Sequence, residues 1–277
     1  MYKITRKEYL NPTVILMDIH APLIARKAKA GQFVILRVDE FGERMPLTIA
    51  DFDKERGTVT IIYQIVGNTT KLLSTLNIGD EIMDFAGPLG NASELDGVKH
   101  ACVVGGGVGC AIAYPVAKQL HKNGAKVDVI AGFRSKDIII LENEFKNVAD
   151  NLYITTDDGS YGEKALVTDR LRALIEQGRS YDLVIAIGPL PMMKFVSLTT
   201  KAYGIKTTVS LNPIMIDGTG MCGGCRVSVG GETKFACVDG PEFDGHLVDF
   251  DELMKRNAAY RGVEHERGEN CRMYRSL

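Results

Sequence analysis

Three cysteines near the carboxyl end of the chain have the spacing of a metal-binding loop. Cys222 and Cys225 are separated by two residues, and Cys237 follows after eleven more. Cysteine thiolates at the spacing C-x4-C-x2-C, with a fourth cysteine further on, hold plant-type [2Fe–2S] clusters. Asp217 stands here in the position of the first thiolate, so the pattern reads D-x4-C-x2-C-x11-C. We therefore predict an iron–sulfur site with these three cysteines and Asp217 as its ligands.

The same residues leave two other interpretations open. Three thiolates and one carboxylate also suit tetrahedral zinc, which would make the region a structural module rather than a redox centre. Asp217 could instead be a turn residue that bonds only its own backbone, for which aspartate is a favoured residue type. Packing explains Cys102, which lies in an apolar strand pattern. Cys110, after a glycine turn, fits either packing or a position near a bound cofactor, and Cys271 remains unassigned.

Composition narrows the class of protein that carries this loop. The 277 residues are 45 % apolar and 25 % charged, which is typical of a soluble globular protein. A net charge of −2 provides no basic surface for nucleic acid or anionic lipid. No apolar run approaches the roughly 18 residues of a membrane span, and the start has no signal-peptide pattern. We expect a cytoplasmic protein that binds neither nucleic acid nor membrane, with reduced cysteines available for metal.

Two different patterns of apolar residues along the chain predict the elements that position the cysteine loop. Residues 1–97 contain short β-rich runs such as TVILMDIH and GTVTIIYQIVG, which predict a small antiparallel barrel. Residues 98–213 alternate apolar strands with helical patterns, which predicts an α/β domain with a doubly wound parallel sheet. This alternation of strands and helices does not continue over 214–277, which we interpret as a small C-terminal cluster module.

Three strand ends in the α/β half predict a dinucleotide site. The turn VVGGGVG lies between an apolar strand and a helix whose N-terminus favours a pyrophosphate. Later strands end in DDGS and in GPLPMM, and ligands of open α/β sheets bind outside such carboxyl ends. The predicted site comprises Gly105, Gly107, Val108, Gly109, Asp157, Asp158, Gly188, Pro189 and Met192. The alternatives are a ligand-free glycine turn and, for DDGS, an ordinary surface turn.

The barrel followed by these strand ends resembles the ferredoxin–NADP reductase superfamily. The resemblance implies a flavin on the barrel and a nicotinamide dinucleotide on the α/β domain. The superfamily signature Arg-x-Tyr-Ser is replaced here by ERMPLTIAD. Carried over, it implies flavin contacts from Pro46, Leu47 and Thr48, and from Tyr63, Gln64 and Ile65 along the ring. It also implies phosphate contacts from Gly67, Thr69 and Thr70. Arg44 lies one residue further from the Thr than the motif's Arg lies from its Ser, and corresponds to the pyrophosphate residue.

The cluster module narrows the resemblance further. Its end, CVDGPEF, resembles the electron-transfer subunit of dihydroorotate dehydrogenase, which uses four cysteines. Asp217 in place of the first cysteine, with SLNPIMIDGTGMCGGCRV and GHLVDFDELMKR, resembles more closely the small subunit of NADH-dependent reduced ferredoxin:NADP oxidoreductases. That family implies FAD, one [2Fe–2S] cluster and NAD(H) in this chain. It also implies a larger partner with the bifurcating FAD, [4Fe–4S] clusters and the sites for ferredoxin and NADP(H).

The resemblance also implies a mechanism and leaves rivals. In the bifurcating direction, NADPH is oxidised on the partner, one electron leaves for ferredoxin, and the other reaches NAD+ through this chain's cluster and FAD. No catalytic acid or base is nominated, because the flavin itself receives the hydride. The rival functions are the dihydroorotate dehydrogenase electron-transfer subunit, a stand-alone flavoprotein reductase and a zinc-stabilised interaction module.

Overall fold

A computed structural model describes residues 1–259 of the chain, so Cys271 and the end of the predicted module lie outside the described residues. Within this part, three sheets account for all the strands. None of the described helices combines the length and the apolar character that crossing a bilayer requires.

The amino-terminal part is an antiparallel barrel of seven strands, as the sequence predicts. Its strands are β1 (Tyr2–Asn11), β2 (Val14–His20), β3 (Phe33–Arg37), β4 (Met45–Asp53), β5 (Thr58–Gln64), β6 (Glu81–Ile82) and β7 (Asp84–Leu89). They are ordered β6-β1-β2-β5-β4-β3-β7 and pair antiparallel throughout. Helices α1 (Pro22–Lys27) and α2 (Asn68–Thr75) connect strands, and alternate β-branched and aliphatic side chains such as Ile15, Ile19 and Ile61 fill the interior.

The second part is the predicted doubly wound α/β domain. Its parallel strands are β8 (His100–Gly106), β9 (Lys126–Phe133), β10 (Asn151–Thr156), β11 (Leu183–Ile187) and β12 (Thr207–Ser210), ordered β10-β9-β8-β11-β12. The connecting helices are α3 (Gly109–Lys122), α4 (Glu142–Lys146), α5 (Val167–Glu176) and α6 (Leu190–Ala202). Apolar clusters cover both faces of the sheet, which confirms the prediction. The strand order reverses between β8 and β11, where such folds bind ligands.

The C-terminal part is a small hairpin followed by a strand that joins the sheet of the α/β domain. Its elements are β13 (Arg226–Val229), β14 (Glu232–Phe235), β15 (Glu242–Asp244) and α7 (Phe250–Ala258). β15 pairs antiparallel with β12, so the segment after the cysteines completes a six-stranded sheet. Backbone hydrogen bonds of this sheet therefore join the two parts on either side of the predicted boundary at residue 213.

Polar contacts join the three parts. Lys118 Nζ on α3 lies 2.7 and 2.8 Å from the two carboxylate oxygens of Asp51 on β4. Asn91, just after β7, donates its backbone N–H to Gly240 O at 2.7 Å, which ties the barrel to the cluster module. These contacts link the parts of the chain that carry the predicted flavin, nicotinamide and cluster sites.

Candidate functional site

The two glycine-rich strand ends converge at the reversal point of the α/β sheet. β8 and β11 are neighbours, with Gly105 opposite Ile187. A Cβ built at Gly106 would lie 2.4 Å from Met192 Sδ, and one at Gly188 would lie 3.1 Å from Gly106 O. The predicted residues Gly188 and Met192 therefore lie against the end of β8.

The start of α3 fits a pyrophosphate. Gly107 has a φ of +56°, and its Cβ position faces open space, so the backbone there is accessible to a ligand. Gly109 differs, because its Cβ would lie 2.5 Å from Ile187 O, so its glycine serves close packing of α3 on β11. The first N–H groups of a helix lack intrahelical acceptors, and the helix dipole there favours an anion.

The predicted acidic pair lies at the end of β10, two strands from β8. The backbone N–H groups of Asp157 and Asp158 donate to Phe133 O and Arg134 O, at 3.0 and 3.2 Å. Asp158 Oδ1 accepts from the Ser160 hydroxyl at 2.7 Å and from its N–H at 2.9 Å, which lowers the pKa of that carboxyl. An anionic carboxylate in this position suits ribose hydroxyls and repels a 2′-phosphate.

The first predicted flavin segment forms the beginning of β4. Pro46, Leu47 and Thr48 are half-buried and pair with Ile35, Val34 and Phe33 of β3. Half-burial on a barrel strand leaves surface for a flat ring to cover. The structure is thus compatible with the flavin contacts that the resemblance implies for these residues.

In the second predicted flavin segment, the side chain of Tyr63 faces the barrel core. Its side chain is 2 % exposed and belongs to the barrel core, where the hydroxyl lies 3.7 Å from Met17 Sδ. Burial raises the pKa of this phenol. Side chains alternate along a strand, so Gln64, which is exposed, faces the opposite way. The Tyr63 side chain therefore packs in the barrel core, while the flavin contacts of Tyr63, Gln64 and half-buried Ile65 remain predictions.

The start of α2 fits a phosphate through its backbone. The Gly67 Cβ position faces open space at the first turn of the helix. The Thr70 hydroxyl accepts from the N–H groups of Val66 and Gly67, at 3.0 Å each, and donates to Gly67 O at 2.9 Å. Thr70 thus holds the cap rather than offering a free hydroxyl. Half-buried Thr69 donates weakly to Glu43, at 3.4 Å, and stays a predicted phosphate contact.

The cluster loop brings two of its cysteines together inside the protein. Cys225 Sγ lies 3.2 Å from Cys237 Sγ, and both residues are buried, whereas Cys222 is exposed. Burial and the neighbouring Cys225 thiol raise the pKa of Cys237 to about 11. A bound iron ion would reverse this effect, because coordination requires the thiolate.

The carboxylate of Asp217 holds the first part of the loop, before Cys222, through hydrogen bonds to its backbone. Its Oδ1 accepts from the N–H of Thr219 and its Oδ2 from the N–H of Cys222, both at 2.7 Å. These bonds lower the pKa of the Asp217 carboxyl, so it is held as an anion beside the cysteine loop. Each carboxylate oxygen keeps a second lone pair with which it can bind a cation.

The types of donor atom in the loop suit a [2Fe–2S] cluster, although their side chains do not converge on a single point. Over residues 1–259, no three histidine, cysteine or acidic side chains already converge on a point that could hold a single metal ion. A two-iron cluster needs two ligand pairs rather than one convergent set. Cys225 and Cys237, whose Sγ atoms lie 3.2 Å apart, would form one pair, and Asp217 with Cys222 would supply the other.

Arg44 lies where the motif does not predict it. Its Nε donates to Ile216 O at 2.8 Å and its Nη2 to Asp217 O at 3.3 Å, so its guanidinium binds the cluster loop. These partners are 172 and 173 residues away in sequence, and no local pattern indicates such a contact. The pyrophosphate role of Arg44 stays a prediction, whereas its contact with the loop is a feature that the sequence interpretation missed.

Known proteins share these features. A family model for the iron–sulfur cluster binding domain of dihydroorotate dehydrogenase B matches residues 212–249. A homologue of the dihydroorotate dehydrogenase B (NAD(+)) electron transfer subunit from Thermotoga maritima is 48% identical over 262 residues, 95% of this chain and 92% of that protein. The electron transfer subunit from Fusobacterium nucleatum is 36% identical, over 82% of this chain and 89% of its own length.

A solved structure extends the similarity to three dimensions. It comes from work on flavin-based electron bifurcation by the NADH-dependent reduced ferredoxin-NADP oxidoreductase. The similar chain is 47% identical and has a TM-score of 0.91 over 96% of this chain and 97% of that one. The barrel, the α/β domain and the cysteine loop are therefore arranged alike in the two chains.

Proposed function

The chain belongs to the family of dihydroorotate dehydrogenase B electron-transfer subunits and their homologues, and from this premise we propose that it serves an electron-bifurcating NADH-dependent reduced ferredoxin:NADP oxidoreductase. It is an oxidoreductase subunit that moves electrons between NAD(H), FAD and a [2Fe–2S] cluster. The iron–sulfur match over residues 212–249 favours the cluster over the zinc alternative.

Three parts of the chain hold the three groups. FAD would lie against β4 with its phosphates at the start of α2, and the dinucleotide would lie across the carboxyl ends of β8 and β11. Bound FAD supplies hydride chemistry with NADH, and a bound [2Fe–2S] cluster supplies transfer of single electrons. Asp217, Cys222, Cys225 and Cys237 would hold the cluster, and their placement on one compact loop makes it a relay from the flavin to a partner.

The observation that carries the proposal is the 47% identity over nearly the whole of both chains, with the Asp217 carboxylate held at the first-ligand position. The partner is proposed to be a larger subunit that carries a second FAD, [4Fe–4S] clusters and the sites for ferredoxin and NADP(H). The cytoplasm is the proposed location.

The second candidate is an electron-transfer subunit for dihydroorotate dehydrogenase, favoured by the family model over the cluster loop. Reconstitution separates the two candidates. The purified chain, with its cofactors, would be combined under anaerobic conditions with each type of larger subunit. The proposal predicts NADP+ reduction that requires both NADH and reduced ferredoxin. NADH-dependent orotate reduction in the absence of that activity would replace the proposal with the second candidate.

A further inference from the structure

Arg44 connects the predicted flavin strand with the cluster loop. It is the residue immediately before β4, whose next residues Pro46, Leu47 and Thr48 are the predicted flavin contacts. Its guanidinium crosses to the loop and donates to the carbonyl oxygens of Ile216 and Asp217, at 2.8 and 3.3 Å. A planar guanidinium can hold two neighbouring acceptors in a fixed geometry, which a lysine ammonium does not reproduce.

Asp217 is held from two directions as a result. Its carbonyl oxygen accepts from Arg44 of the barrel, and its carboxylate accepts from the N–H groups of Thr219 and Cys222. The backbone position of Asp217 is therefore set by the barrel, and the start of the cysteine loop is set by Asp217.

The next residue shows how closely the loop packs on the barrel. Gly218 has a φ of +79°, and a Cβ there would lie 2.6 Å from Ile35 Cδ1 and 2.8 Å from Leu89 Cδ1. Only glycine combines this backbone conformation with this approach to β3 and β7. The Arg44 contact and the Gly218 contact together fasten one side of the loop to the barrel wall.

We propose that Arg44 is a positioning residue that fastens the Asp217 side of the cluster loop to the flavin strand and raises the reduction potential of the cluster. A fixed cation beside the ligand loop favours the reduced, more negative cluster, because net charge and hydrogen bonding set such potentials. This inference rests on the proposed cluster site, but its structural half concerns the loop itself.

Hydrogen exchange of the full-length chain without cluster tests the structural half. In Arg44→Met, the amides of residues 214–222 should exchange about tenfold faster or more, because two hydrogen bonds from a charged donor are lost. Arg37→Met is the matched control: it removes the same charge from the same barrel, where Arg37 Nε is bonded to Asp84 at 2.7 Å. Exchange over 214–222 should be unchanged in this control.

Redox titration of the chain with its cluster, followed by electron paramagnetic resonance, tests the electrostatic half. Arg44→Met should shift the cluster midpoint to a lower potential with its FAD content unchanged, and Arg44→Lys should restore the potential but not the slow exchange. Unchanged exchange and potential in Arg44→Met would overturn the proposal. Loss of FAD with unchanged exchange would also overturn it, in favour of the pyrophosphate role. A wild-type chain that binds no cluster would refute the proposed function instead, while the exchange result stands by itself.

Discussion

The carboxylate of Asp217 accepts the backbone N–H of Cys222 at 2.7 Å, which places an anion directly beside the first cysteine of the cluster loop. The carboxylate thus occupies the position at which the plant-type spacing requires a ligand. The same bond would exist if Asp217 were only a turn residue, so the geometry is compatible with both interpretations. Substitution at this position distinguishes them.

Asp217→Cys should keep the cluster and lower its reduction potential. Thiolate donates more electron density to iron than carboxylate does, so an all-cysteine cluster is harder to reduce. Redox titration should show this shift, and the electron paramagnetic resonance spectrum should become closer to that of a plant-type ferredoxin.

Asp217→Ala removes both the predicted ligand and the two hydrogen bonds within the loop, and the variant should lose iron. Full cluster content in Asp217→Ala with an unchanged spectrum and potential would show that Asp217 is only a turn residue.

The acidic end of β10 should select NADH over NADPH. Diaphorase assays of the chain should give a higher kcat/KM for NADH, because carboxylates at Asp157 and Asp158 repel a 2′-phosphate. Asp157→Ser should raise the NADPH to NADH ratio of kcat/KM about tenfold, which corresponds to roughly 1.4 kcal/mol of removed repulsion. Arg134 follows β9, where an arginine can bind the 2′-phosphate of NADPH. Arg134→Ala is therefore the opposing control and should lower that ratio. A wild-type preference for NADPH would refute the assignment.

Two glycines of the same turn should respond differently to alanine. In Gly107→Ala the new methyl group meets no atom, so the fold should survive a strain of roughly 1–2 kcal/mol while the KM for NADH rises. In Gly109→Ala the methyl group would lie 2.5 Å from Ile187 O, so α3 must move and the melting temperature should fall further. Unimpaired NADH binding by Gly107→Ala would argue against a pyrophosphate at this turn.

Acid should weaken the start of β8 through Asp182. Its Oδ2 accepts the N–H groups of Lys99 and His100, both at 2.9 Å, which lowers the pKa of this carboxyl in the folded state. A lowered folded-state pKa adds stability above the unfolded-state pKa, and this stability is lost as pH falls through the folded value. Urea unfolding between about pH 7 and pH 3 should therefore show a smaller acid loss in Asp182→Asn than in wild type. Parallel curves would contradict this.

The sequence predicted those features that depend on local pattern. Apolar periodicity predicted the barrel and the parallel strands. The stretch ILENEFKNVAD has a helix-like pattern, but the helix found there, α4, covers only Glu142–Lys146. The strand β15, of three residues, is too short to produce a periodic signal and depends on its partner β12.

Features that depend on direction or distance could not be predicted in this way. The family resemblance did not indicate which face of the barrel the Tyr63 side chain takes, which the alternation of side chains along the strand decides. Arg44 was matched to a flavin motif, whereas its observed partners are in a loop that only the folded barrel brings within reach. The 3.2 Å approach of Cys225 Sγ to Cys237 Sγ likewise does not follow from their spacing in the sequence.

Anaerobic titration of the purified chain with NADH tests the central claim, that one chain receives electron pairs and passes them on singly. Visible absorbance would follow the flavin, and electron paramagnetic resonance at low temperature would follow the cluster. The account predicts that NADH bleaches the flavin and also generates a reduced [2Fe–2S] signal, with more electrons taken up than the flavin alone accepts. A chain whose flavin is reduced by NADH, while a cluster reducible by dithionite stays oxidised, would contradict it.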